Sequence, residues 1–193
     1  MIRYSGINHA ALVTNNMDRT IRFWRDLLGL RLIAGMGKPG ERQYFFEVTK
    51  GSLISFFEWK GAEPVQDKDA GRPVKGPFAF DHICLELSGE EELWELKDRL
   101  QAADLWVSEV LDNGFIYSIF TTDPNNIQLE FCCRVKGVCL PAHPVMTDAA
   151  PSSVTREGTG PQPGIWPAVD EPTLPEARKI YPGELKRLVE GNE

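Results

Sequence analysis

Two rhythms of apolar and polar positions succeed each other along the first two-thirds of the chain, and the same succession occurs twice. Ile7-Asn8-His9-Ala10-Ala11-Leu12-Val13 is a mostly apolar run of strand length. Asn15, Asn16 and Asp18 lead into Ile21, Phe23, Trp24, Leu27 and Leu28, which recur at helical spacing until Gly29 stops the helix. Leu30 to Met36 and Gln43 to Val48 read as strands on either side of a turn at Gly37 to Gly40. Thr49-Lys50-Gly51-Ser52 then turns the chain into a last strand, Leu53 to Trp59. The predicted order is strand, helix, three strands.

The second half repeats that order. Phe80 to Leu87 is the first strand, and a helix is predicted from about Glu90 to Ala102, with Ser88 and Glu91 spaced as a capping box. Leu105 to Leu111 and Phe115 to Thr121 are strands joined at Asp112-Asn113-Gly114, where Asn-Gly fits a tight primed turn. Thr122-Asp123-Pro124-Asn125-Asn126 breaks the chain before Ile127 to Phe131. In that strand Ile127, Leu129 and Phe131 share one face while Gln128 and Glu130 share the other, so Glu130 points away from the helix.

The domain expected from this pattern spans residues 1–136 and consists of module 5–60 and module 78–134 joined by a polar Gly/Pro linker at 61–77. From 137 to 193 the composition changes: eight prolines between Pro141 and Pro175 preclude regular structure over most of a tail that ends in a short helix from about Pro182 to Glu190. Trp166 is the one large anchor in its polar part.

The chain's 193 residues are 42% hydrophobic, enough for one good core. A net charge of −7 without a basic cluster argues against nucleic acid or an anionic membrane as partner. No apolar run is long enough to span a bilayer, and the first residues do not open a secretion signal. Cys84, Cys132, Cys133 and Cys139 lack CxxC spacing and suit reduced core thiols, which fits a cytoplasmic location.

Candidate chemistry comes from the repeat. Only three histidines occur, yet His9 and His82 hold matching places in the two first strands, and His143 lies apart among prolines as an ordinary surface residue. Glu58 follows His9 by 49 positions and Glu130 follows His82 by 48. If the modules pack about a pseudo-twofold axis, two imidazoles and two carboxylates meet, a set suited to one divalent Zn, Ni, Fe, Mn or Co ion. Two carboxylates would neutralise that ion, and one that loosens from it can move a proton. Phe23, Trp24 and Phe45 are expected in the core, and Phe56 and Phe120 in the core or in a pocket wall.

The segments His9 to Leu30, Phe80 to Leu87 and Phe120 to Phe131, the last with Asp123-Pro124-Asn125 ahead of Glu130, resemble the vicinal oxygen chelate superfamily over roughly residues 5 to 134. That superfamily includes glyoxalase I, extradiol dioxygenases, methylmalonyl-CoA epimerase and the fosfomycin and bleomycin resistance proteins. The resemblance implies an α+β fold in which paired βαβββ modules form a half-open barrel around a divalent metal, often in a homodimer, acting on a small molecule. Similarity to glyoxalase I implies His9, Glu58, His82 and Glu130 as ligands, with Glu58 and Glu130 as the catalytic carboxylates of a metal-dependent lyase or isomerase. The chain departs from that branch at Val13, where an arginine would hold glutathione, and at Trp59-Lys60-Gly61-Ala62, where an asparagine would stand, so glutathione is not the expected substrate. The alternatives that the resemblance carries are an extradiol-type dioxygenase holding Fe(II) with His9, His82 and Glu130, and a non-catalytic binding or resistance protein.

Overall fold

The structure, a computed structural model, describes residues 3, 5–66, 69–73, 80–145 and 147–190. The expected junction of linker and second module at 77–78 lies outside the described residues. The chain divides into two compact units, Met1–Val138 and Cys139–Glu193.

In the first unit, β1 (His9–Thr14) leads into α1 (Met17–Ile21), which continues as a π-helical segment, Arg22–Leu27. Asn16 caps α1 by accepting a hydrogen bond from the Arg19 amide at 3.0 Å. The wider turn closes with the Leu28 amide on the Phe23 carbonyl, and within it the adjacent Phe23 and Trp24 are both buried. Next come β2 (Arg31–Lys38), β3 (Glu41–Thr49) and β4 (Ser52–Glu58). The second module consists of β5 (Ile83–Glu86), α2 (Glu90–Ala102), β6 (Leu111–Asp112), β7 (Ile116–Thr122) and β8 (Gln128–Arg134).

The two sheets have the same topology, β1-β4-β3-β2 and β5-β8-β7-β6, with the first strand of each module parallel to its last. Two details differ from the sequence reading. The N-cap of α2 is Gly89, without a side-chain cap, so Ser88 sits one residue too early for the capping box; Glu90, Glu91 and Glu92 in the first turn complement the helix dipole instead. Ladder pairing in the predicted 105–111 strand begins only at Leu111. Before it, hydroxyls do part of the ladder's work: Ser108 Oγ accepts from the Phe120 amide at 2.9 Å, and Thr121 Oγ1 donates to the Trp106 carbonyl at 2.7 Å.

Each sheet has a helix face and an opposite face. Trp24, Phe46, Ile54, Phe56, Leu93, Leu100, Ile119, Leu129 and Phe131 form one core cluster across the helix faces of both modules. Polar bonds also tie the modules: Trp24 Nε1 donates to Asp123 Oδ2 at 3.2 Å, and Thr14 Oγ1 to Asn125 Oδ1 at 2.7 Å. The second unit contains short 3-10 turns at Thr155–Glu157, Pro175–Ala177 and Glu184–Lys186, the last running into α3 (Arg187–Glu190). Trp166 is 83% exposed there, so it anchors no core of its own. Among the described residues no helix is long and apolar enough to cross a membrane.

Candidate functional site

The opposite face of the second sheet carries half of a site. His82 directly precedes β5, and its Nε2 stands 3.0 Å from Oε2 of Glu130, a residue only 6% exposed in the middle of β8. On the far side of the ring, Nδ1 pairs with Asp81 Oδ1 at 2.5 Å. Asp81 thus engages Nδ1, and Nε2 is the nitrogen that faces Glu130. Phe120, the cross-strand partner of Glu130, meets the His82 ring edge-on at 5.8 Å.

The first sheet repeats this arrangement with one change. His9 Nδ1 pairs with Asn8 Oδ1 at 2.8 Å, which again leaves Nε2 outward. Phe45 meets the His9 ring edge-on at 6.1 Å. It therefore belongs to the site face rather than to the core cluster at the helices. Phe56 is the core residue, 5.4 Å from the Trp24 ring. The cross-strand partner of Phe45 is Ser55. By register, then, His9, Phe45 and Ser55 correspond to His82, Phe120 and Glu130, and a serine stands where the second module has its carboxylate.

Glu58 is not where the spacing of the repeat puts it. Strand residues alternate faces, and Glu58 shares its face with Ile54 and Phe56, towards the helices. It pairs with Thr14 while His9 pairs with Leu53, so five residues, roughly 16 Å at strand rise, separate it from His9 along the ladder. Its carboxylate is already engaged. Oε1 accepts from the Met17 amide at 2.9 Å and Oε2 from the Gly40 amide at 2.8 Å, with Arg42 Nε at 3.7 Å. Gly40 has φ +85, and this turn aims its N–H at the carboxylate.

The structure thus brings His82 and Glu130 together, places His9 at the matching point of the other sheet, and turns Glu58 away. The orienting residues Asn8 and Asp81 escaped the sequence reading, although each directly precedes its histidine. Among the described residues no three His, Cys, Asp or Glu side chains gather closely enough to hold a metal. The donors themselves suit one: two ligands about 2.1 Å from an ion at a right angle stand about 3 Å apart, the separation found between His82 and Glu130.

A cavity of about 620 Å³ adjoins this half-site, with Trp106, Leu111, Phe120, Thr122 and Gln128 among its walls and Arg72 from the linker. The linker is tied in place at Gly71, whose amide donates to Asp81 Oδ1 at 2.9 Å. Cys84, the strand partner of Glu130, lies with its sulfur 3.3 Å from that of Cys132. Burial pushes both thiols up, so they remain protonated and are poor metal ligands. All four cysteines are free; Cys132 and Cys133 are buried, Cys84 and Cys139 exposed.

The loop before β8 joins this half-site to the first module. Asp123 accepts from the Asn125 and Ile127 amides through Oδ1, and from Asn125 Nδ2 and Trp24 Nε1 through Oδ2. Burial raises its pKa against the pull of these bonds.

With two βαβββ modules and a paired histidine and carboxylate in view, the comparison with known proteins is decisive: the Glyoxalase/Bleomycin resistance protein/Dioxygenase superfamily matches residues 6–131. The chain belongs to that superfamily. It is 26% identical over 136 residues to an iron-dependent extradiol dioxygenase of Rhodococcus jostii strain RHA1, a match covering 69% of this chain and 44% of that protein. The chain therefore matches less than half the length of this relative. Among solved structures, it resembles a glyoxylase/bleomycin resistance protein/dioxygenase domain from Frankia sp. EAN1pec, with TM-score 0.58 and 20% identity, over 69% of this chain and all of that one. A lactoylglutathione lyase from Agrobacterium tumefaciens is 25% identical with TM-score 0.50, over 67% of this chain and 94% of that one. The superfamily spans both enzymes and resistance proteins, so membership carries activity on small molecules only in general terms.

Proposed function

We propose that this superfamily domain is an extradiol-type ring-cleaving dioxygenase that holds one Fe(II) with His9, His82 and Glu130 and takes a catechol-like substrate in the cavity beside His82. The observation that carries the reading is the face of Glu58. A glyoxalase I-type lyase or isomerase needs a carboxylate from each module at the metal, and the carboxylate expected from the first module is held by Met17 and Gly40 behind the sheet. What remains is two histidines and one carboxylate, the set suited to non-haem iron with open positions. The iron-dependent extradiol relative supports the same reading.

Ferrous iron held by His9, His82 and Glu130 would supply Lewis-acid and redox chemistry for a substrate with two adjacent oxygens and O₂. The chain's own residues do the rest. Asp81 and Asn8 hold the two imidazoles by Nδ1 and direct Nε2 into the site. Trp106 and Phe120 offer flat apolar walls to a planar ring, and Arg72 offers a cation to an acidic substituent.

The site is shared between two copies in this reading. β1 and β5 are edge strands, and on the site face of β1 Ala11 and Val13 are exposed beside His9. A homodimer that sets His9 of one copy against His82 and Glu130 of the other covers that surface. Mixing His9→Ala and Glu130→Gln chains, each inactive alone, then restores about a quarter of the sites at random pairing; no restoration contradicts the shared site.

The functional test is anaerobic reconstitution with Fe(II), followed by oxygen uptake and ring-cleavage absorbance over a set of catechols. Iron-dependent uptake that disappears in Glu130→Gln supports the proposal. Turnover of a hemithioacetal with Ni(II) or Zn(II), or catechol binding without oxygen uptake, contradicts it and favours the lyase or the binding protein.

A further inference from the structure

Lys97 lies in the middle of α2 with Leu93, Leu96 and Leu100 on its buried side, and is only 6% exposed. Lysine is rarely buried so far unless its ammonium is paired, and an apolar side chain would fill the same place without the cost of desolvating a charge. Its Nζ donates to the Ser108 carbonyl at 3.1 Å, while its second partner, the Glu109 carboxylate at 3.7 Å, is exposed and screened by water. The carbonyl is therefore the contact that matters. Ser108 in turn joins two walls of the cavity beside His82. Its amide donates to the Phe120 carbonyl at 3.0 Å, its Oγ accepts from the Phe120 amide at 2.9 Å, and Trp106 stands two residues before it. Ladder pairing in this segment begins only at Leu111, so these bonds hold it against β7 together with the bond from Thr121 Oγ1 to the Trp106 carbonyl at 2.7 Å. Trp106, Ser108 and Phe120 all line the cavity. Trp106 is 66% exposed, so its backbone anchors, more than packing of the ring, decide where it stands.

We infer that Lys97 is a positioning residue for the cavity: by holding the Ser108 carbonyl it fixes the Trp106 wall relative to the Phe120 wall, and so makes the cavity selective for flat aromatic anions. Two aromatic walls held in a fixed relation suit a planar ring, and Arg72, the cation of the lining, suits its carboxylate. A puckered ring of the same charge keeps Arg72 but loses contact with the flat walls. Without the Lys97 bond the Trp106 wall is free to adapt to either shape. This inference rests on the reading of the cavity as the place of a planar-ring substrate, but its test needs neither oxygen nor turnover.

The test is isothermal titration of the full-length chain with 2-naphthoate and decahydro-2-naphthoate, which share a carboxylate and a carbon skeleton and differ in flatness. The carboxylate's own contribution cancels in the ratio of the two affinities. The unaltered chain should prefer 2-naphthoate by about tenfold, and Lys97→Met should cut that preference to about threefold or less. Mn(II) affinity should be the same in both. Ser108→Ala loses the Oγ bond to Phe120 but keeps the carbonyl. It should fall between the two, and it covers the case of a Lys97→Met chain that does not fold. Glu109→Gln should keep the full preference. A full preference in Lys97→Met, or in Ser108→Ala where Lys97→Met does not fold, overturns the inference. So does an equal loss for both ligands, which makes Lys97 a residue of general stability, and so does no preference in the unaltered chain. A preference that depends on Lys97 in a chain without iron-dependent oxygen uptake keeps the inference and removes the dioxygenase proposal. Oxygen uptake with a preference indifferent to Lys97 does the reverse.

Discussion

The two modules share a fold, a polar residue paired with each histidine and an aromatic ring against it, yet they differ at the register position that carries a carboxylate in the second module. In the second module Glu130 stands 3.0 Å from His82 on the site face. In the first, the last strand presents Ser55 on that face and turns Glu58 to the helices, where it ties the start of α1 to the β2–β3 turn. Two glutamates at nearly equal spacing from two histidines have different surroundings because Glu58 lies three positions, an odd number, beyond Ser55, the register counterpart of Glu130. Distance along the sequence is a poor guide to equivalence in a sheet, where one step of register reverses the face.

The largest effect expected from this comparison is at the histidine of the complete half-site. His82→Ala should lower Mn(II) affinity beyond the roughly 10–100-fold typical for loss of an orienting partner, and Asp81→Ala should fall within that range. Isothermal titration measures both, and equal small effects would make the His82–Glu130 pair an ordinary ion pair.

A middle-sized effect separates the two glutamates by stability. Glu58→Gln leaves one of the two backbone donors facing an amide N–H instead of an oxygen, which costs about 1–3 kcal/mol. Chemical denaturation should show that loss without a change in metal affinity. Unchanged stability would mean that the Met17 and Gly40 contacts contribute nothing.

The smallest effect concerns the joint between the modules. The pKa of Asp123 is raised by burial, so the folded chain binds its proton more tightly than the unfolded chain does. Its contribution therefore turns less favourable as pH rises from the ordinary carboxylate value through the raised one, and is fully regained below the ordinary value. Asp123→Asn should flatten the stability curve across that window in denaturation at a series of pH values; a curve of unchanged slope would remove Asp123 as the cause.

Much of this was legible in the sequence because the relevant strands alternate. Gln128, Leu129, Glu130 and Phe131 name their faces by polarity, and the structure places Glu130 away from the helix as that alternation requires. The run Leu53-Ile54-Ser55-Phe56-Phe57 is apolar on both faces except for one small hydroxyl, so nothing in it reveals which way Glu58 turns. Ser55 itself looks like a filler residue until register pairs it with Phe45. Trp24 was legible as core from its helical spacing, but its bond to Asp123 spans 99 residues and no local pattern announces it. The Asp123-Pro124-Asn125 motif looked like a chain break before a strand. In the structure it also receives Trp24 and Thr14 from the first module.

The central claim is that the metal is held by His9, His82 and Glu130 without Glu58. Its most direct test is Mn(II) titration of Glu58→Gln and Glu130→Gln side by side, followed by electron paramagnetic resonance of the free ion. The account predicts unaltered affinity and about one ion per chain for Glu58→Gln, and loss of binding for Glu130→Gln. Loss of binding in Glu58→Gln with its fold intact, or retention in Glu130→Gln, would contradict it.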